Sequence, residues 1–278
     1  MTEPIHFFHF TDLHIRTYEN DDRASFNTYN RMMLCIEAAR DSEIKPTFSL
    51  LTGDLSDDGS PESYQRLREL IRQLEALGDP VFVTPGNHDS RSNFQEYLLN
   101  EAPDESRPHY ECHTFGSLKV IVLDSKLPHK TVYGGFDDAQ LGWLKAELEQ
   151  NPDQDVLLAF HHPLTPLRHA LTDRILMREG DSGRLLDVVE PYRIVGMLTG
   201  HVHAPHTNVL RGIPCISGIA AAFRSDHEAG YIRFTDSSGF NVGTYADGVL
   251  TVRTVVLPSS NREIQRISLQ KVLEHLEA

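Results

Sequence analysis

Short apolar runs that break off into polar, chemically versatile residues recur along this chain. Val81-Phe82-Val83 stops at Pro85-Gly86 and is followed by Asn87, His88 and Asp89. The run has the length of a buried strand and Pro-Gly ends it, so the three polar side chains stand at the strand's carboxyl end. Open α/β sheets hold their ligands at that edge. Gly86 permits a close approach or a backbone conformation that a β-carbon would hinder.

Four other runs end in the same way. Ile5 to Phe10 delivers Asp12 and His14, whose i, i+2 spacing puts both on one side of an extended backbone. Phe48 to Leu51 leads to Gly53-Asp54, Val156 to Phe160 leads to His161-His162-Pro163, and Met197 to Thr199 leads to Gly200-His201-Val202-His203. Tyr29 to Arg40 and Pro61 to Leu77 carry apolar residues at helical spacing, which gives the order β-α-β-α-β of a parallel sheet covered by helices. Phe94 to Leu99 reads as a short helix, and His113-Thr114-Phe115 with Leu118 to Leu123 as a hairpin. Asp137 to Gln150 follows as a helix with Asp137 as its N-cap, and Gly183 to Val189 as another. The part from 204 to 258 is β-rich, and about 263–276 reads as a terminal helix from Ile267, Val272 and Leu276. The polar stretch Arg16 to Asn30 is expected to rim the strand ends, with Arg16, Tyr18 and Asn20 as its candidate contacts.

With 278 residues and 40% hydrophobic content, the expectation is one α/β domain over 1–278. Charge narrows the function: 26 basic against 40 acidic residues give −14, and no Lys/Arg run offsets it, so a long nucleic acid is a poor partner. Cys35, Cys112 and Cys215 form no C-x-x-C pair and read as core residues. No secretory leader and no stretch of about 18 apolar residues is present, so the expected location is the cytoplasm, without a membrane partner.

The strand ends collect Asp12, His14, Asp54, Asn87, His88, His161, His162, His201 and His203. A mixed carboxylate and imidazole set suits Fe, Mn, Zn or Co better than Mg or Ca. There are more donors than one ion needs, and a shared carboxylate can hold two, so two-metal hydrolysis is the reading. Asp57 and Asp58 read as solvated loop charge, and Asp89 either caps its turn or orients His88 or its loop. The histidines at 6, 9, 109, 113, 129, 169, 206, 227 and 275 read as surface or packing residues, with His206 the nearest of them to a substrate.

Asp12-x-His14, Gly53-Asp54, Gly86-Asn87-His88-Asp89, His161-x-Pro163 and Gly200-His201-x-His203 resemble, in order, the five signatures of the calcineurin-like metallophosphoesterases. The spacing is most similar to the bacterial branch of cyclic-nucleotide phosphodiesterases and glycerophosphodiesterases. The resemblance implies a four-layer α/β/β/α sandwich with two mixed central sheets and metals at the strands' carboxyl edge. It implies Asp12, His14 and His203 on one metal, Asn87, His161 and His201 on a second, and Asp54 between them, with His162 in the variable place and as the alternative ligand to His161. It further implies hydrolysis of small phosphodiesters by in-line attack of a metal-bridging hydroxide, with Asn87 and His88 on the substrate and His88 as proton donor. A phosphomonoesterase or protein phosphatase would use the same metal core. A non-catalytic scaffold is disfavoured because all seven ligand positions and His88 are filled. A homo-oligomer stays open, with the β-rich part after 207 as its candidate contact.

Overall fold

The computed structural model describes residues 3–23, 26–78, 80–128, 131–164, 175–228, 230–268 and 270–271. In chain order the elements are β1 (Ile5–Phe10), α1 (Tyr18–Arg23), α2 (Thr28–Asp41), β2 (Phe48–Thr52), α3 (Pro61–Glu75), β3 (Val81–Thr84) and α4 (Arg91–Asn93), which continues into a π-helical turn over Phe94–Leu99. Then come β4 (Glu111–Phe115), β5 (Leu118–Val122), α5 (Asp138–Glu149), β6 (Asp155–Ala159), α6 (Asp181–Val189), β7 (Ile194–Thr199), β8 (His206–Leu210) and β9 (Ile213–Ser217). The last strands are β10 (Arg224–Glu228), β11 (Tyr231–Thr235), β12 (Gly239–Ala246), β13 (Val249–Val256) and β14 (Glu263–Ser268).

Two mixed sheets, ordered β13-β12-β1-β2-β3 and β4-β5-β6-β7-β9-β8, pack face to face. Strand alternation explains the layering, because each strand sends one set of side chains inward and the other outward. Phe7, Phe48, Leu50 and Phe82 of the first sheet meet Leu118, Val120, Val122 and Leu157 of the second in the central layer. On the outer face of the first sheet, Phe8, Phe10 and Leu51 pack against Met32 and Ile36 of α2 and Leu67 and Leu70 of α3. Ile121 and Leu158 of the second pack against Leu144 and Leu148 of α5 and Leu185 of α6. The four-layer α/β/β/α arrangement is therefore present, and the expected cap is too: Asp137 accepts from Gln140 N, while Ser60, ahead of Pro61, caps α3 by accepting from Ser63 N. No helix among the described residues is long and apolar enough to cross a membrane.

The terminal segment differs from its expectation. Glu263–Ser268 is a strand, antiparallel to β11 in a three-stranded sheet, while 272–278 lie outside the described residues. The helix expectation rests on Ile267 with Val272 and Leu276, the last two outside the described residues. In the strand itself Ile264 and Ile267 are three apart, and the register shifts at Phe234/Thr235, where Thr235 faces Glu263 and Phe234 faces Gln265. A bulge of this kind absorbs the odd residue and lets a helix-like spacing sit in a strand. The stretch Arg16 to Asn30 contains the short helix α1, and β10 and β12 fall within the part from 204 to 258 read as β-rich, though neither has a distinct strand pattern of its own. Gly243 inside β12 is a steric requirement, since a β-carbon there would lie 2.0 Å from the Phe7 ring.

His9 on β1 is buried rather than at the surface. Asn241 Nδ2 faces its Nδ1 at 3.2 Å, so Nδ1 accepts and Nε2–H donates to Thr52 Oγ1 at 2.7 Å. Burial pushes the ring pKa from 6.5 down to about 3. The unfolded chain therefore takes up this proton first, and the stabilisation is complete above pH 6.5 and is lost as pH falls toward about 3. Going from neutral pH to about pH 4, His9→Gln should reduce the metal-free protein's loss of unfolding free energy by about 3 kcal/mol. Identical pH slopes for the two proteins in urea titrations would refute this.

Candidate metal centre

β1, β2 and β3 run parallel, as do β5, β6, β7 and β9, so both sheets aim their carboxyl ends at the same place. The first sheet contributes the loops of Asp12 and His14, of Asp54, and of Asn87 and His88. The second contributes those of Ser125, of His161 and His162, and of His201 and His203. Backbone bonds lock neighbouring loops together: Asp12 N to Gly53 O at 3.1 Å, His14 N to Asp54 O at 2.8 Å, and Gly200 N to His161 O at 2.9 Å.

The backbone turns sharply here to bring the side chains inward. Asp12, His14, Asp54, His201 and His203 all have positive φ, between 46° and 72°. Left-handed conformations of non-glycine residues cost about 1–3 kcal/mol each and persist only where the surroundings enforce them. Gly86 answers a space requirement: a β-carbon would sit 2.3 Å from both Asp54 N and Oδ1 and 2.8 Å from His161 Nε2. At Gly200 it would meet Thr11 Oγ1 and lie 2.6 Å from Asp12 Oδ2.

Buried side chains converge in two adjoining groups, Asp12, His14, Asp54 and His203 in one, His161, His162 and His201 in the other. Asp54 Oδ2 lies between them, 3.6 Å from His14 Nε2 and 3.4 Å from His161 Nε2, while its Oδ1 accepts from His88 N at 2.9 Å. Asp12 accepts from His201 N with both oxygens at 3.0 Å and stands 3.4 Å from His203 Nε2. Asn87 Oδ1 is 3.3 Å from His161 Nε2.

The outer ring nitrogens fix the tautomers. His161 Nδ1 faces Thr52 O at 2.8 Å, His201 Nε2 faces Ile175 O at 2.8 Å, and His203 Nδ1 faces Phe223 O at 2.9 Å. His14 Nδ1 faces the Asp57 carboxylate at 2.9 Å. Each partner is an acceptor, so each outer nitrogen carries the proton and the inner one offers its lone pair. The inner nitrogens of His14 and His203 are consequently two acceptors only 3.1 Å apart. That contact is repulsive unless a cation, or a proton, lies between them, and the donor set fits a cation.

Electrostatics agree. Burial favours neutral Asp54, but the imidazoles of His161, His88 and His14 outweigh it and hold its carboxyl well below the usual range. Asp12 is pushed up to about 6, chiefly by burial and against the pull of His161. His161 rises to about 9 because Asp54 and Asp12 overcome the cost of its burial. A metal-free site thus holds protons that a cation would displace.

Asp57 stands differently from the sequence reading, and Asp89 has the turn and loop role offered for it. Asp57 is no solvated loop charge: it pairs with His14 and, at 3.0 Å, with Arg16 Nε, and although burial opposes it, these partners depress its pKa. Asp89 accepts from Gly86 N, Leu55 N, Ser56 N and the Tyr64 hydroxyl, so it clasps the Asp54 loop to the Asn87 loop and makes no hydrogen bond to the His88 ring. Phe223, unmarked in the sequence, holds His203 through its carbonyl and lays its ring 4.6 Å from the His203 ring. His88 is the most open of the set: Nδ1 donates to Asp57 O at 2.9 Å and leaves Nε2 for a substrate. His206 bonds locally to Ala204 O, and positions 129, 169 and 275 lie outside the described residues.

A two-sheet sandwich thus carries a buried His/Asp group at its seam, a donor set that fits metal ions. Residues 5–205 match the calcineurin-like phosphoesterase family model, and the chain belongs to that family. It is 30% identical over 269 residues to a cAMP/cGMP dual specificity phosphodiesterase of Mycobacterium tuberculosis, covering 91% of this chain and 83% of the relative. It is 33% identical over 164 residues, 57% of this chain and 56% of the relative, to the glycerophosphodiester phosphodiesterase GpdQ of Enterobacter lignolyticus. In fold it is similar to a dimetal phosphatase from Danio rerio, with a TM-score of 0.65 at 15% identity over 96% of this chain and 99% of that one.

Because the Asp54 backbone cannot yield to a β-carbon at 86, Gly86→Ala should destabilise the protein by about 1–3 kcal/mol. It should also weaken cation binding at least tenfold in chelator competition. Wild-type affinity in a folded Gly86→Ala protein would contradict the steric account.

Proposed function

We propose that the chain is a two-metal phosphodiesterase acting on small phosphodiesters of the cyclic-nucleotide or glycerophosphodiester type. The observation that carries this is the inward convergence of imidazole lone pairs and buried carboxylates around Asp54, with the open His88 beside it. The family and the names of its relatives support a hydrolase of phosphoric esters. Asp12, His14 and His203 would hold one cation, Asn87, His161 and His201 the other, with Asp54 shared. First-row ions such as Fe, Mn, Zn or Co suit these donors. When bound, the cations supply Lewis acidity toward the phosphoryl oxygens and a nucleophile at neutral pH. On this reading 1–278 works as one domain in the cytoplasm.

The chain's own residues then have separate tasks. Asn87 would orient the phosphate beside His161, whose ring Thr52 O holds in place. His88 is the proton donor to the leaving oxygen. Burial lowers its pKa, but Asp54, the Asp57 carbonyl and the Asp57 and Asp89 carboxylates outweigh that and raise it, which keeps the proton available near neutral pH. The Asp57 carbonyl fixes the ring so that Nε2 faces outward.

His88→Ala should retain both cations and slow turnover of alkyl diesters about 10²- to 10⁴-fold. p-Nitrophenyl diesters, whose leaving group needs no proton, should lose less. Equal losses on the two would make His88 a phosphate-positioning residue instead.

The substrate class is tested by kcat/KM for cyclic AMP, a glycerophosphodiester, a phosphomonoester and single-stranded DNA under one metal condition. The two small diesters should lead. A clear preference for the monoester or for DNA would overturn the proposal.

A further inference from the structure

His162 occupies the position that the family pattern leaves variable, yet it is completely buried and its Nε2 has no hydrogen-bond partner. Such an orphan is costly, at about 1–3 kcal/mol for a buried polar atom, unless something else occupies its place. The ring cannot swing away to find a partner. It stands edge-on to His161 at 4.7 Å and tilted to His201 at 4.6 Å, and the Gly134 backbone closes on it so tightly that a β-carbon there would be 2.4 Å from its Cγ. One nitrogen from each of His161, His162 and His201 falls within a common 4.8 Å.

The partner of Nδ1 sets His162 apart from the four rings that turn lone pairs inward. Those rings face carbonyls or a carboxylate, which only accept. His162 Nδ1 faces the Ser125 hydroxyl at 2.8 Å, and that oxygen already accepts from the His162 backbone N–H at 3.1 Å. If Ser125 donates its own proton to Nδ1, every group is used except one Nε2–H. If instead Nδ1–H donates to Ser125, both the hydroxyl proton and the Nε2 lone pair are left over. The first arrangement leaves one orphan and the second leaves two.

We propose that His162 is a phosphate-binding residue, an Nε2–H donor set by Ser125, which reaches an oxygen of the phosphoryl group held at the His161/His201 side of the centre. It is not a further metal ligand. This rests on the two-cation reading above.

The test uses protein loaded with zinc, a diamagnetic probe, and inorganic phosphate as the ligand. Nitrogen-15 spectra should show the His162 proton on Nε2, and Ser125→Ala should disturb that tautomer. His162→Leu should keep two zinc ions per chain with near wild-type affinity in chelator competition, while phosphate binding by calorimetry weakens about 10- to 100-fold. His162→Gln, which retains a donor, should recover most of that loss, and it serves with the spectra if His162→Leu does not fold. A proton on Nδ1, loss of one zinc from the variants, or unchanged phosphate affinity would each overturn the inference alone. Failure of the wild-type protein to bind two zinc ions would overturn the reading of the centre itself.

Discussion

The structure turns on a buried carboxylate that two sheets must share. Asp54 is only 2% exposed, and an isolated charge in that position would be prohibitively costly. It is tolerated because His88 N–H binds one oxygen, while His14 from the first sheet and His161 from the second approach the other. Asp54 therefore fixes where the carboxyl ends of the two sheets meet. Without a cation His161 keeps its proton at neutral pH and Asp12 holds its own up to about pH 6, so metal binding and proton release are linked at one point in the fold.

Holding that point requires backbone that polypeptide does not adopt freely. Five of the converging residues are left-handed, and backbone hydrogen bonds join the Asp12 and His14 loop to that of Asp54 and the His161 strand end to Gly200. Asp89 completes the arrangement from below. By accepting from two backbone N–H groups of the Asp54 loop, one of the Asn87 loop and a hydroxyl of α3, it makes the two loops one rigid piece. The scaffold cost lies in side chains that touch no substrate.

The parallel core and the positions of the converging residues were legible because each is a local event, an apolar run followed by a turn and a polar side chain. Gly86 was legible as a need for space, although which atom needed it was not. The parts that escaped depend on pairing across long stretches of chain. Asp57 looks like any loop acid until His14 and Arg16 are brought to it from over 40 residues away. β12 carries glycines that weaken its strand signal, and one of them exists to admit Phe7. β14 imitates a helix because its bulge is visible only against its partner strand.

Charge and geometry combine to limit what can approach. With a formal charge of −14, long-range attraction cannot gather a polyanion. At short range, the cavity of about 480 Å³ beside His88 is lined by Asp57, Asp58, Asp89 and Glu105 as well as Lys126. Arg16, the cation nearest the His14 loop, is engaged by Asp57 and stacks on Phe26, so it adds little free positive field. A chain of phosphates laid over this rim would meet these carboxylates. A single small diester would instead place its one charge at the imidazoles and cations and leave its neutral ends to the rim. On the proposed reading, a preference for compact substrates would follow from where these acids stand.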